Sequence, residues 1–231
     1  MRVLVGCEYS GRVRDAFRRR GHNAISCDII PSGESGYHHQ GDVLEILDDG
    51  WDLMIAFPPC THIAVSGARW FKEKRKHGLQ QEAIQFVRNL WEAPIEKVCI
   101  ENPVGVINQY LPDMPQPQYI QPYLFGSCEQ KKTGLWLRNL PPLRPTDIVR
   151  GPLSKHSHLQ LALPGIEDAP PHKQSTWMMG PSPDRGHQRS LTFAGIAEAM
   201  ADQWGGTKRE EIEEADYEVI AEDNHHDNEE V

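Results

Sequence analysis

The chain has 231 residues, 39% of them hydrophobic and 25% charged, the ordinary make-up of one α/β domain or one domain with a small lobe. No run approaches the roughly 18 apolar residues of a membrane span, and Met1-Arg2-Val3-Leu4-Val5 reads as a strand rather than a signal peptide, so a cytoplasmic protein with no membrane partner is expected. The formal charge of −9 resides in the tail: Lys208 to Val231 holds 11 acids and 2 bases, leaving a neutral body whose charge neither excludes nor announces a nucleic-acid partner.

The first apolar run, Arg2 to Cys7, predicts a buried strand. Gly11 to Arg20 is helical in pattern, with Val13, Ala16 and Phe17 on one face, and Gly21 ends it. Arg18-Arg19-Arg20 places cations at the helix end that favours them. A second strand, Ala24 to Cys27, runs into Asp28, and a third spans Asp52 to Phe57. Leu79 to Trp91 is a helix with Ala83, Phe86, Val87 and Leu90 spaced for burial. Lys97 to Ile100 is a fourth strand, followed by Glu101-Asn102-Pro103. Strands alternating with helices predict a parallel, doubly wound sheet, with ligands beyond the carboxyl ends of the strands. Those ends carry Cys7-Glu8, Asp28, Pro59-Cys60 and Glu101-Asn102.

Past residue 110 the texture changes. Leu111 to Pro122 is proline-rich, and Gly134 to Arg138 is a further strand candidate. Pro141 to Arg185 is rich in Pro, His and Gly, the signature of a loop-rich insert. Ser190 to Trp204 returns to helical spacing, and the tail from Lys208 predicts disorder. The organisation expected is an α/β domain at 1–140, a short lobe at 141–188, a returning helix at 189–207 and an acidic tail at 208–231.

Gly6-Cys7-Glu8-Tyr9-Ser10-Gly11 forms a tight turn before a helix, where a nucleotide-like ligand can approach the backbone. It lacks the G-x-G-x-x-G pattern, which disfavours a nicotinamide cofactor. Asp28, about 20 residues on, suits ribose hydroxyls. Asp42 can accept from an adenine amine or cap the helical turn after it, and the two roles are compatible.

In Phe57-Pro58-Pro59-Cys60 two prolines stop a strand and hold a thiol at the sheet edge, where its thiolate could attack an electron-poor ring carbon. Glu101 would share that rim as a general acid. The five cysteines form no C-x-x-C pair and are odd in number, so neither a disulfide framework nor a zinc ribbon is expected; Cys27 and Cys99 read as buried small hydrophobes. His38-His39 and His156-Ser157-His158 lack ligand-spaced partners and read as solvated, with no metal site. Arg185, His187 and Arg189 form a small basic cluster able to touch phosphates, or simply a solvated loop.

In order and spacing these segments resemble the DNA cytosine-5 methyltransferases, especially compact phage-encoded members, over about residues 1–140. Pro59-Cys60 is similar to the family's proline-cysteine nucleophile motif, Glu101-Asn102-Pro103 to its Glu-Asn-Val motif, and Gln130-Lys131-Lys132 to its Gln-x-Arg-x-Arg motif. The resemblance implies a Rossmann-like S-adenosylmethionine-dependent methyltransferase fold, DNA as partner, and a bacterial or phage-infected cell. It implies Cys60, Glu101 and Lys132 as catalytic residues, and Gly6, Cys7, Glu8, Ser10, Gly11, Asp28, Ile29, Asp42 and Pro58 around the cofactor. Pro59, Asn102, Gln130, Arg185 and Arg189 would face the substrate. No oligomer is implied, and a monomer is the default. Departures are Glu8 and Ser10 in place of glycines, Lys132 and Gly134 in place of arginines, Thr61 in place of glutamine, and a recognition lobe of only about 40 residues. An amino-methyltransferase, a silent DNA-binding relic, or the same thiol chemistry on another substrate are the alternatives.

Overall fold

The computed structural model describes residues 1–149 and 191–206. The element order is β1 (Arg2–Gly6), α1 (Arg12–Arg19), β2 (Asn23–Asp28), β3 (His38–Gln40), β4 (Leu53–Ala56), α2 (Phe71–Lys76), α3 (Leu79–Trp91), β5 (Lys97–Pro103), α4 (Ile107–Tyr110), β6 (Gln118–Ile120), β7 (Thr133–Arg138) and α5 (Ala194–Gly205). Short 3-10 turns cover Val43–Ile46, Val65–Trp70 and Pro122–Leu124.

The strands form one sheet in the order β3-β2-β1-β4-β5-β7-β6. β3, β2, β1, β4 and β5 run parallel, while β7 lies antiparallel between β5 and β6. The chain winds outward from β1 in one direction, then returns to place β4 on the other side. The crevice above β1 and β4 is therefore the switch point where such sheets hold ligands. This is the α/β, Rossmann-like architecture expected from the sequence, with one reversed strand next to its edge.

Side-chain alternation builds two cores. Leu4, Met54, Val98 and Ile100 point to one face, where Val87 and Leu90 of α3 and Ile107 of α4 cover them. Val3, Val5, Leu53, Ile55 and Cys99 point to the other, beneath Phe17 of α1 and Met200 and Trp204 of α5. Both faces of the parallel strands are thus buried, which is why they read as continuous apolar runs. Arg19 and Arg20 of α1 pair with Glu198 of α5, tying the two helices together at their rims. α5 also begins in very close contact with the turn before β7: a β-carbon on Gly195 would fall 1.8 Å from the Phe125 carbonyl oxygen, so only glycine fits.

Two expectations are corrected. His38 and His39 are not solvated; they lie in β3, which pairs Ser26 with His38 and Cys27 with His39. The His38 ring bridges Ser26 Oγ (2.9 Å) and the Ile30 carbonyl (3.0 Å), and His39 Nε2 is buried. So polar a three-residue strand is decided by the exposed edge of β2, not by its own pattern. The fourth predicted strand does not end at Ile100 but continues to Pro103, because β7 pairs Glu101 with Leu135 and Asn102 with Gly134. The proline-rich stretch at 111–122 contributes β6 at the sheet edge. The expected tail and almost all of the expected lobe fall outside the described residues.

Candidate active site

β1 delivers the chain into a turn in which Cys7 adopts the left-handed conformation (φ 56°), a position that ordinarily favours glycine. Glu8 follows and is only 3% exposed. Its Oε1 accepts from the Val13 amide (2.8 Å) and the Ser10 hydroxyl (3.1 Å), and its Oε2 from the Arg14 amide (3.3 Å). Burial pushes its carboxyl pKa up, opposed by these hydrogen bonds and by the nearby Arg14 charge. The first-turn amides of α1 are therefore taken by the protein's own carboxylate and cannot serve an anionic ligand group. Glu8, expected as a direct cofactor residue, borders the cavity but spends its carboxylate on the helix. Gly6 and Gly11 shape this turn from behind and do not line the cavity.

Asp28 ends β2, where its Oδ1 accepts from the Ile30 amide (3.2 Å) and its Oδ2 has no hydrogen bond among the described residues. Asp42 caps the 3-10 turn through Leu44 N (3.0 Å) and also faces the cavity, so both roles foreseen for it are filled. Ile29 stands between them in sequence, 76% exposed at the cavity edge, an apolar surface that a flat ring could cover. Cys27 lies beneath with its thiol directed at the Gly41 carbonyl (3.5 Å), and burial pushes its pKa up to about 12.

β4 is fastened to β1 by Phe57 N donating to Gly6 O (2.9 Å), and the chain then stops at Pro58 and Pro59. The next residue, Cys60, accepts at its carbonyl from Ile63 N (3.1 Å) and Ala64 N (2.9 Å), closing a tight turn that presents the thiol to the cavity. Asn102 holds this turn from below. It is 1% exposed, and its Nδ2 donates to the Pro58 carbonyl (2.8 Å). Asn102, expected at the substrate, therefore acts on the cysteine turn instead. Its neighbour Glu101 points the opposite way, as strand alternation requires, and faces the cavity.

One cavity of about 930 Å³ joins these pieces. Asp28, Ile29, Asp42 and the Cys7–Ser10 turn line one part; Pro58, Pro59, Cys60 and Glu101 line another. That volume lies in the range of small-molecule sites. Lys132 is not part of it. It directly precedes β7 and lies over the Tyr119 ring at 4.3 Å. The flanking Lys131 and Thr133 face the cavity in its place. A side chain at Gly134 would be tight: its β-carbon would meet Pro117 and Trp136 at 3.1 Å. Gln130 is half-buried away from the cavity wall, and Arg185 and Arg189 lie outside the described residues.

Sequence reasoning missed two features. Thr133 donates its hydroxyl hydrogen to Glu101 Oε1. Arg69 and Trp70, on the 3-10 turn after Cys60, reach the cavity wall, with the Arg69 guanidinium 5.2 Å from the Trp70 ring centre. Trp70 is 55% exposed. With Lys72, Lys74, Arg75 and Lys76 they begin a cationic segment whose helix, α2, buries no residue. The density of Lys and Arg between 69 and 76 was the available signal; a neutral total for the body hid it.

No family model matches the chain, and no curated protein does. Among solved structures, it is similar to a prophage-encoded E. coli protein described as a candidate DNA modification methyltransferase (16% identity, 59% of this chain, 46% of that one, TM-score 0.40). It is also similar to the Entamoeba histolytica methyltransferase EhMeth (13% identity, 64% and 57%, TM-score 0.45). A third is the S. pombe Dnmt2 methyltransferase (14% identity, 59% and 48%, TM-score 0.41). The chain spans about half the length of these structures. Among the described residues no helix is long and apolar enough to cross a membrane, and no group of three or more His, Cys, Asp or Glu could hold a metal ion.

Proposed function

We propose that the protein transfers a methyl group from S-adenosylmethionine to C5 of cytosine in DNA. The observation that carries this reading is the sharing of one cavity by Cys60 and Glu101 with Asp28 and Asp42. A nucleophile, an acid and two nucleoside-binding carboxylates thus open onto a single space at the switch point of the sheet.

The cofactor fits the residues present. Asp28 has an unengaged oxygen for ribose hydroxyls, Asp42 a carboxylate for an adenine amine, and Ile29 and Pro58 offer apolar surface to a ring. Bound there, S-adenosylmethionine supplies an electrophilic methyl group. The remaining steps belong to the chain. The target cytosine leaves the stack, since its ring carbons are inaccessible in a duplex. The Cys60 thiolate adds to C6 while Glu101 shares its proton with N3, moving an electron pair to C5. C5 would take the methyl carbon as that carbon's bond to the cofactor sulfonium sulfur breaks, leaving S-adenosylhomocysteine. A base then removes the C5 proton, the C6–sulfur bond breaks, and the thiolate and the Glu101 proton are restored.

Support for a polyanionic partner comes from the cationic segment of Arg69, Lys72, Lys74, Arg75 and Lys76 beside the cavity mouth, with Trp70 exposed among them. Such clusters contact phosphates and position the duplex. Choice of the target sequence is assigned to residues 141–188.

The test is mass spectrometry of nucleosides from DNA of cells expressing the protein. 5-Methylcytosine is expected with the native chain and is lost with Cys60→Ala. N6-methyladenine or N4-methylcytosine that persists in Cys60→Ala would overturn the reading.

A further inference from the structure

Arg14 is fully buried on α1. A guanidinium withdrawn from water is tolerated only where its donors are matched. Nε and Nη2 donate to Asp15 Oδ1 (2.7 Å) and Oδ2 (3.1 Å). Nη1 donates to Ser26 Oγ (3.2 Å) and Ser32 Oγ (3.4 Å), and Nη2 also reaches the Ser35 carbonyl (3.0 Å). Ser26 belongs to β2, whereas Ser32 and Ser35 belong to the loop that leaves it.

That loop is in turn fastened to the turn after β1. Gly33 N donates to the Tyr9 carbonyl (2.8 Å), and Ser32 Oγ lies 3.1 Å from the same oxygen. The Ser26 hydroxyl continues the network through His38 to the Ile30 carbonyl. One turn further along α1, the Arg18 guanidinium lies 4.0 Å from the Tyr37 ring centre and covers the end of the loop. Two glycines leave the space that Arg14 fills: β-carbons on Gly11 and Gly36 would fall 2.4 and 2.7 Å from Nη2.

These contacts join the two cavity walls, the Cys7–Ser10 turn and the Asp28–Ile30 segment. The β1–β2 ladder reaches only as far as Glu8 N donating to Cys27 O (3.1 Å), and Asp28 is tied to the next segment by Gly41 N (3.0 Å); past these points Tyr9, Ser10, Ile29 and Ile30 have no strand pairing. We infer that Arg14 is a positioning residue: it touches no ligand, lies outside the cavity lining, and sets the separation of the two walls so that the cleft for the cofactor's adenosine part is preformed. The inference rests on the cofactor reading above and adds to it a residue that the family motifs do not mark. A site held in its productive geometry by buried supporting contacts binds without an ordering cost.

The test uses the full chain, with titration calorimetry against S-adenosylmethionine, methyl-transfer kinetics, and amide hydrogen exchange at Gly33. The variants are Arg14→Lys, which keeps the charge but loses the fork, and Ser32→Ala, a loop substitution outside both cores. Arg14→Lys is expected to raise the cofactor Kd about tenfold or more, and Ser32→Ala several-fold, by loosening the walls. In both, kcat at saturating cofactor stays within about twofold, and Gly33 exchanges faster. Ser32→Ala keeps the native thermal midpoint, which separates positioning from general instability. Native Kd in both variants would overturn the inference. If the native chain itself binds no S-adenosylmethionine, the cofactor reading falls, and Gly33 exchange decides the clamp: faster exchange in both variants upholds it, unchanged exchange removes it.

Discussion

The Thr133 hydroxyl donates a hydrogen bond to the Glu101 carboxylate across the antiparallel pair β5–β7. The register sets Glu101 opposite Leu135 and Pro103 opposite Thr133, so the two side chains are diagonal neighbours on one face. Thr133 thereby fixes the direction of the acid that lines the same part of the cavity as Cys60. Glu101→Gln is expected to lower kcat on the order of 10²-fold or more by removing the acid. Thr133→Val should lower it about tenfold through looser orientation, with the cofactor Kd unchanged and recovery in Thr133→Ser. Steady-state kinetics paired with calorimetry checks both parts.

Asn102 and the Pro58 carbonyl form the second link beneath the nucleophile. Asn102→Ala leaves a buried carbonyl unpaired and is expected to cost about 1–3 kcal/mol of folding stability. Urea denaturation measures the loss. The same substitution frees the turn that presents Cys60, so kcat should fall as well.

The five cysteines divide by environment. Cys27, held up to about 12 by burial, and Cys99, raised well above the ordinary thiol value by burial in the core, should resist alkylation in the folded protein. Burial raises Cys7 too. Peptide mapping after brief iodoacetamide treatment at pH 8 should find label on Cys60 and Cys128, both of them half-exposed. Label on Cys27 or Cys99 under native conditions would contradict the packing described.

The cationic segment at α2 predicts a salt signature. Lys72→Gln and Lys76→Gln should each weaken DNA binding about equally across unrelated sequences. Each should also reduce the slope of log K against log salt by about 0.9. Fluorescence anisotropy over a salt series reads both; a change confined to one sequence would point to base reading instead.

Glu198 predicts how stability varies with pH. Its hydrogen bond from Arg20 lowers its pKa below the ordinary 4.5; desolvation opposes this, and the hydrogen bond from Arg19 and the charges of both arginines add to the lowering. A depressed carboxyl contributes stability that is full above 4.5 and is lost as pH falls through the lower, folded-state value. Thermal midpoints should therefore fall on acidification below that point, less steeply in Glu198→Gln. The pair is largely exposed, so the contribution should be modest and should shrink with added salt.

The residues by themselves determined the alternation of apolar strands and helices, the span of α3 from Leu79 to Trp91, and the placing of Asp28 at the end of its strand, with Cys60 just beyond β4 and Glu101 in the carboxyl-terminal half of β5. All of this follows from local periodicity and from the way prolines and glycines end an element. Pairings between distant segments were decided only in three dimensions. β3 exists because β2 has an open edge, and β5 extends past Ile100 because β7 returns to it from 30 residues away. That return also brings Thr133, the first residue of β7, and Lys131 before it to the cavity, while Lys132 lies over Tyr119. Glu8 and Arg14 looked like ordinary polar residues near a turn. Burial, which sequence does not display, made one a helix cap and the other the tie between two cavity walls.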